Sequence, residues 1–206
     1  MARVRVVIFD CDGVMFDSRR ANEAYYNHIL AHFKRPRMNS EQCEYVHMNT
    51  AERSVAYLFR DDPRLKDALA YWRRTSYLPF IPLMEMEPYL KAFLEYLRPS
   101  YITAISTNRS GTMGPVLATY GLEGYFDLVV SCLDVKHPKP DPESLIKILD
   151  HFGLSPEEAI YIGDSEIDES AARAAGIPLV AYKNPYISAP YHVSHFKEIE
   201  DLLPFI

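Results

Sequence analysis

Asp10 and Asp12 close a short apolar run, Val6-Val7-Ile8-Phe9, and Gly13 supplies the turn that follows them. Side chains alternate along an extended chain, so both carboxylates can face one site while Cys11 points away. Three later loops offer groups that such acids could use. Ser106-Thr107-Asn108 brings hydroxyls and an amide to a predicted helix entrance, where free backbone N–H groups can hold an anion. Lys139 sits between prolines in Pro138-Lys139-Pro140-Asp141-Pro142, which restrict its backbone. Asp164 and Asp168 are four apart in Gly163-Asp164-Ser165-Glu166-Ile167-Asp168, a spacing that puts both on one side of a helix start. Singly, each reads equally well as a cap, a surface lysine or a solvated turn. Their order, spacing and strand context argue for one site.

The elements that must position these residues follow from hydrophobic periodicity. A β-branched apolar run over residues 3–9 predicts a strand covered on both faces, with Asp10 at its carboxyl end. Helices are predicted over 18–33, 40–46, 50–60 and 62–77, the last opened by Asp62-Pro63. About 70 helical residues exceed what a βαβ crossover needs, so this stretch is an insertion, and Pro79, Pro82 and Pro88 mark the return. From there the pattern alternates. Helices over 88–97, 111–120, 142–152 and 165–175 precede strands over 101–106, 128–131, 159–162 and 178–181, and a last helix covers 196–203. Such alternation predicts an α/β fold, a doubly wound parallel sheet with helices on both faces. Ligands of such sheets bind beyond the carboxyl ends of the strands. Ser155-x-x-Glu158 is a capping-box pattern with room for a single turn.

The chain has 206 residues, 48% of them hydrophobic and 24% charged, the profile of a soluble globular protein. A formal net charge of −6 argues against a nucleic-acid partner. Its apolar runs fall far short of the roughly 20 residues that span a bilayer. Asp10 interrupts the N-terminal region before any signal-peptide core can form, so a cytoplasmic location is expected. Cys11, Cys43 and Cys132 are far apart and in no CxxC pattern, so neither a disulfide framework nor a zinc site is indicated. Residues 18–87 hold 11 Lys/Arg and 9 Asp/Glu, against 11 and 19 elsewhere. An acidic body with a mildly basic insertion suits a metal-dependent site that meets an anion. His28 and His32 stand at metal-compatible spacing but have no acid beside them, which favours packing residues.

Phe9-Asp10-Cys11-Asp12-Gly13-Val14-x-x-Asp17-Ser18, Thr107-Asn108-Arg109, Lys139-Pro140-Asp141-Pro142 and Gly163-Asp164-Ser165-x-x-Asp168 resemble the four motifs of the haloacid-dehalogenase-like hydrolase superfamily. The likeness is greatest to its phosphoglycolate-phosphatase-like and β-phosphoglucomutase-like branch. It implies a Rossmann-like core over 1–17 and 88–206, with an inserted all-helical cap domain over 18–87. It makes Asp10 the nucleophile that forms an aspartyl-phosphate and Asp12 the acid that protonates the leaving oxygen and then activates water. Thr107, with Ser106 as the alternative, Asn108 and Lys139 would bind the phosphoryl group. Asp10, Asp164 and the Asp12 carbonyl would hold Mg²⁺, with Asp168 supporting the metal and Lys139. A hard cation together with Lys139 would also let clustered carboxylates stay ionised. An acid at Asp12 favours phosphoryl transfer over carbon–halogen hydrolysis.

The expected activity is therefore Mg²⁺-dependent hydrolysis of a small phosphorylated metabolite, of phosphoglycolate or sugar-phosphate type, by a monomer or homodimer without a membrane or nucleic-acid partner. In the cap, Arg53 is a candidate for the leaving group, and His47 stands where relatives often carry Gly. A sugar-phosphate mutase using the same residues is the alternative, and a non-catalytic phosphate-ligand binding protein on the same fold is a more distant one.

Overall fold

The first apolar run becomes Val6–Phe9 (β1), a strand with no solvent face: all four side chains are fully buried. The computed structural model describes residues 3–206. After β1 come Phe16–Asp17 (β2) and the helices Arg19–His32 (α1), Ser40–Met48 (α2), Ala51–Leu58 (α3) and Leu65–Trp72 (α4). A 3₁₀ segment, Leu78–Leu83, leads to Glu85–Met86 (β3). The chain then alternates through Leu90–Leu97 (α5), Ile102–Ser106 (β4), Met113–Tyr120 (α6), Leu128–Val130 (β5), Glu143–Phe152 (α7), Ala159–Gly163 (β6) and Glu166–Ala175 (α8). Leu179–Tyr182 (β7), Tyr191–Val193 (β8) and Phe196–Leu202 (α9) complete it.

Two compact units result. One runs from the N-terminal residues through Phe16 and again from Met86 to Ile206; the other is Asp17–Glu85. Both chain passages between them run through β2 and β3, which pair as a two-stranded ribbon.

The first unit is built on a parallel six-stranded sheet in the order β5-β4-β1-β6-β7-β8. β1 is therefore central, with Ile8 in register with Ala104 on one side and Tyr161 on the other. Val6 and Ile8 face a core completed by Leu145, Ile148 and Leu149 of α7 and Ala171, Ala172 and Ala175 of α8. Phe9, one residue out of phase, turns to the opposite layer and meets Phe93 of α5 and Phe196 of α9 at ring distances of 6.0 and 6.2 Å. Helices thus cover both faces of an α/β sheet, as the alternation predicts. The Ser155–Glu158 capping box forms and opens only the 3₁₀ turn Pro156–Glu158.

The second unit is helical. Tyr25, Tyr26, Ile29 and Leu30 of α1 pack with Val55, Leu58, Phe59 and Ala68, and Tyr25 meets Tyr77 edge to face at 4.9 Å. His32 stacks on Tyr71 at 3.8 Å and His28 Nε2 lies 3.3 Å from Tyr71 Oη, so both histidines meet Tyr71 at the surface and, being exposed, are not part of the core. The helix predicted over 62–77 is shorter. It starts at Leu65, after a turn in which Asp62 Oδ1 accepts from the Arg64 backbone N–H at 2.9 Å, and it ends at Trp72. Among the described residues no helix is long and apolar enough to cross a membrane.

Candidate active site

Asp10 follows β1 directly, and its backbone N–H donates to Ile162 O at 2.9 Å, which ties it to the neighbouring strand β6. Its Oδ1 accepts a hydrogen bond from Lys139 Nζ at 2.8 Å. The same ammonium donates to Asp168 Oδ1 and to Tyr161 Oη, each at 2.7 Å. All three protons of the lysine are thereby committed, in a site where Asp10, Lys139, Tyr161 and Asp168 are all buried. Lys139 reaches this point from the loop before α7, where the Lys139–Pro140 peptide is cis.

Asp168, on the first turn of α8, is saturated. Oδ1 also accepts from Tyr161 Oη at 2.6 Å, and Oδ2 accepts from Ser165 Oγ at 2.6 Å and from the backbone N–H groups of Asp164 and Ser165. Ser165 in turn caps α8 by accepting from the Asp168 N–H. Asp164 is placed differently. Its backbone carbonyl is held by Asn184 Nδ2 at 2.7 Å, while its carboxylate accepts no hydrogen bond among the described residues. Gly13, at φ +86°, permits the close approach, since a Cβ there would collide with the Asp164 carboxylate.

The motif after β4 separates its two hydroxyls. Ser106 Oγ lies 2.8 Å from Ser144 Oγ on α7 and is fully buried, so it serves packing. Thr107, the next residue, turns into the loop, where its Oγ1 accepts from the Arg109 N–H at 3.1 Å. Asn108 Nδ2 donates to the Lys139 carbonyl at 3.0 Å, joining the two loops, and its buried Oδ1 has no partner among the described residues. Asp12 is gripped by Arg109 through both oxygens. Arg53 lies in the helical unit, exposed on α3.

The electrostatics follow from burial. Burial pushes Asp10 up to about 7 against the pull of Lys139, with Asp168 and Asp12 adding to the rise. Burial also raises Asp164 well above the usual carboxylate range, helped by Asp168 and Asp10. For Lys139 burial acts downward, but Asp10 and Asp168 outweigh it and hold the ammonium above its ordinary value. Burial would raise Asp168 too, yet Lys139 and its other donors keep it below the ordinary value.

Oxygens of Asp10, Asp164 and Asp168 lie within 4.8 Å of one another. Two buried carboxylates and the half-buried Asp164 surround one lysine, more acid than a single ammonium can offset. Asp10 Oδ2 and both Asp164 oxygens carry no hydrogen bond among the described residues. A hard oxygen-preferring divalent cation fits this donor set. Asp168, with every oxygen already bonded, is suited to orienting Lys139 and the loop instead.

Neither pattern nor spacing gives Tyr161, Arg109 or Asn184 a part in this site. Tyr161 looks like any aromatic of a buried strand, and its register beside Ile8 is what brings the hydroxyl to Lys139. Arg109 stands inside a recognised motif, but nothing in its spacing pairs it with Asp12.

A parallel sheet with these acids and this lysine at its carboxyl end defines a hydrolase of the haloacid dehalogenase-like family, and the chain belongs to that family, whose profile matches residues 7–182. Among individual proteins it is similar to the pyrophosphatase PpaX of Bacillus velezensis, at 28% identity over 177 residues that cover 84% of this chain and 81% of the relative. It is also similar to phosphoglycolate phosphatase 1 of Pseudomonas aeruginosa, at 30% identity over 88% of this chain and 70% of the relative. The crystal structure of a HAD-superfamily hydrolase, subfamily IA, variant 1, from Geobacter sulfurreducens superposes with a TM-score of 0.80 at 41% identity, covering 97% and 96% of the two chains.

Proposed function

We propose that the chain is a Mg²⁺-dependent phosphatase that hydrolyses a small phosphorylated metabolite through an aspartyl-phosphate on Asp10. The observation that carries this reading is the buried Asp10–Lys139 pair with the unbonded carboxylate of Asp164 beside it. In the first step Asp10 attacks phosphorus and the bond to the leaving oxygen breaks, its electron pair taking a proton from Asp12. In the second step water adds to phosphorus, gives its proton to Asp12, and returns the electron pair to Asp10 as phosphate leaves. Lys139, the Thr107 hydroxyl and the Asn108 loop hold the phosphoryl oxygens as charge shifts between them. Asp10, Asp164 and the Asp12 carbonyl would hold the cation, which when bound offsets the repulsion between the carboxylate and the anionic substrate.

Substrate selection is assigned to the helical unit acting as a cap, with its exposed Arg53 as a candidate contact for the leaving group. The names of the relatives support esters or anhydrides of small phosphorylated compounds. Phosphate release from an aryl phosphate and a panel of small phosphate esters, with and without Mg²⁺, tests the reading. Asp10→Asn is expected to lose at least about a thousandfold in turnover. Release that persists in Asp10→Asn, or that ignores Mg²⁺, refutes it.

A further inference from the structure

Arg109 is the second buried cation at the end of this sheet, and no step above uses it. Its Nε donates to Asp12 Oδ2 at 2.8 Å and its Nη2 donates to Oδ1 at 2.7 Å. This is the two-point fork that a guanidinium makes and an ammonium cannot. The side chains are 7% and 15% exposed, so solvent does little to loosen the pair. Arg109 is itself fixed at both ends, since Nη1 donates to Thr112 Oγ1 at 3.3 Å and its backbone N–H donates to Thr107 Oγ1. The fork therefore sets not only where the Asp12 carboxylate lies but the plane in which it lies.

We infer that Arg109 is a positioning residue for proton transfer: it orients Asp12 so that the proton leaves toward the departing oxygen. The inference rests on the reading of Asp12 as the proton carrier. The transfer itself moves one proton from Asp12 to the leaving oxygen as that oxygen takes the electron pair of the breaking P–O bond, and Arg109 exchanges nothing. While Asp12 carries the proton, one of its oxygens must leave the fork. The other remains held, and a guanidinium keeps the orientation through that remaining bond better than a point charge does.

The leaving group makes this testable. An alkyl phosphate needs its oxygen protonated as it departs, whereas p-nitrophenolate departs as a stabilised anion and draws little on Asp12. The ratio of kcat/KM for the two esters, which covers the steps through the first phosphoryl transfer, reports the use of Asp12 and is insensitive to a general loss of folded enzyme. Arg109→Ala and Arg109→Lys are each expected to lower kcat/KM for the alkyl ester about 10- to 100-fold and for the aryl ester less than about threefold. Arg109→Lys keeps the buried charge and serves if the alanine variant does not fold. In an Asp12→Asn background, Arg109→Lys should cost the alkyl ester nothing further. Equal losses for both esters, or losses that add to those of Asp12→Asn, would show an ion pair that only supports the loop and overturn the inference. Wild-type enzyme inactive on both esters would instead overturn the phosphatase reading, and this inference with it.

Discussion

Replacing Tyr161 by Phe removes one oxygen from the most densely bonded point of the site and leaves the ring in place. The hydroxyl donates to Asp168 Oδ1 at 2.6 Å and accepts from Lys139 Nζ at 2.7 Å. Without it, one ammonium proton loses its acceptor and Asp168 Oδ1 loses one of its donors, both out of reach of water. A hydrogen bond to a charged group contributes about 1.5–3 kcal/mol, and the hydroxyl no longer has to be desolvated, so a net loss of about 2–3 kcal/mol follows. For a chain of this length that lowers Tm by about 5–10 °C. Urea denaturation and calorimetry measure it. Tyr182→Phe is the control, because among the described residues that hydroxyl bonds only Glu87 Oε2, at 3.2 Å, and Glu87 keeps Lys183, so the loss should be about 1 kcal/mol. In a Lys139→Met background the hydroxyl has no ammonium to accept from and donates only to Asp168, so the part of the cost that comes from the lysine is absent and the cost of Tyr161→Phe should shrink by about 1 kcal/mol. A cost below about 0.5 kcal/mol, or one unchanged by Lys139→Met, would refute the view that the hydroxyl holds the lysine in place.

Because burial pushes Asp10 up to about 7 and raises Asp164 as well, the folded metal-free chain binds protons between about pH 4 and 7 that the unfolded chain does not. Its stability should therefore rise as pH falls from 8 toward 5, and Mg²⁺ should stabilise it more at pH 8 than at pH 5. Melting curves with Mg²⁺ and with a chelator check both, and a metal-free stability that is flat over this range would count against the buried acids. Gly13→Ala is expected to destabilise the fold by about 2 kcal/mol or more, since alanine is strained at a left-handed φ and its methyl displaces Asp164. The same variant should lose the Mg²⁺-dependent rise in Tm. A wild-type response to Mg²⁺ would remove Asp164 from the cation site.

The sheet was legible because its strands are apolar on both faces. Val6–Phe9 and Ala159–Gly163 are buried at every position, so composition alone marks them as interior. β8 escaped, since only Val193 of Tyr191–Val193 is buried and such an edge strand has no apolar run to read. Asp62-Pro63 misled for a local reason, since the Asp62 carboxylate accepts from the Arg64 backbone N–H two residues on and closes a turn ahead of the helix, while Arg35 holds its other oxygen. Pro79 and Pro82, read as signs of the returning chain, fall inside the 3₁₀ segment. Tyr89 occupies a left-handed conformation, φ 67°, that the sequence could not announce, with its hydroxyl bonded to Glu200. Within the site, Asp10 and Thr107 stood out as polar residues just past strands, Lys139 by its flanking prolines, and Asp164 and Asp168 by their spacing at a helix start. The partners of these residues did not, because a tyrosine in a strand acquires its neighbours only from register, and Arg109 meets Asp12 across 97 residues of chain.

The central place of β1 also affects how the chain is made. β1 is translated first but cannot be covered until its neighbours arrive, and Val6 pairs with Ile102 on one side and Ala159 on the other. At about 5–20 residues per second the strand waits roughly 5–20 s for the first neighbour and roughly 8–30 s for the second. Throughout that interval β1 is a strand with two unpaired edges and no polar face, open to pairing with another chain. The helical stretch that separates β1 from β4 draws on contacts local in sequence and needs neither neighbour in order to fold. It can therefore be structured while β1 still waits, so the exposure of the nucleophile strand is set by the pace of synthesis through the second half of the sheet and not by the folding of the insertion.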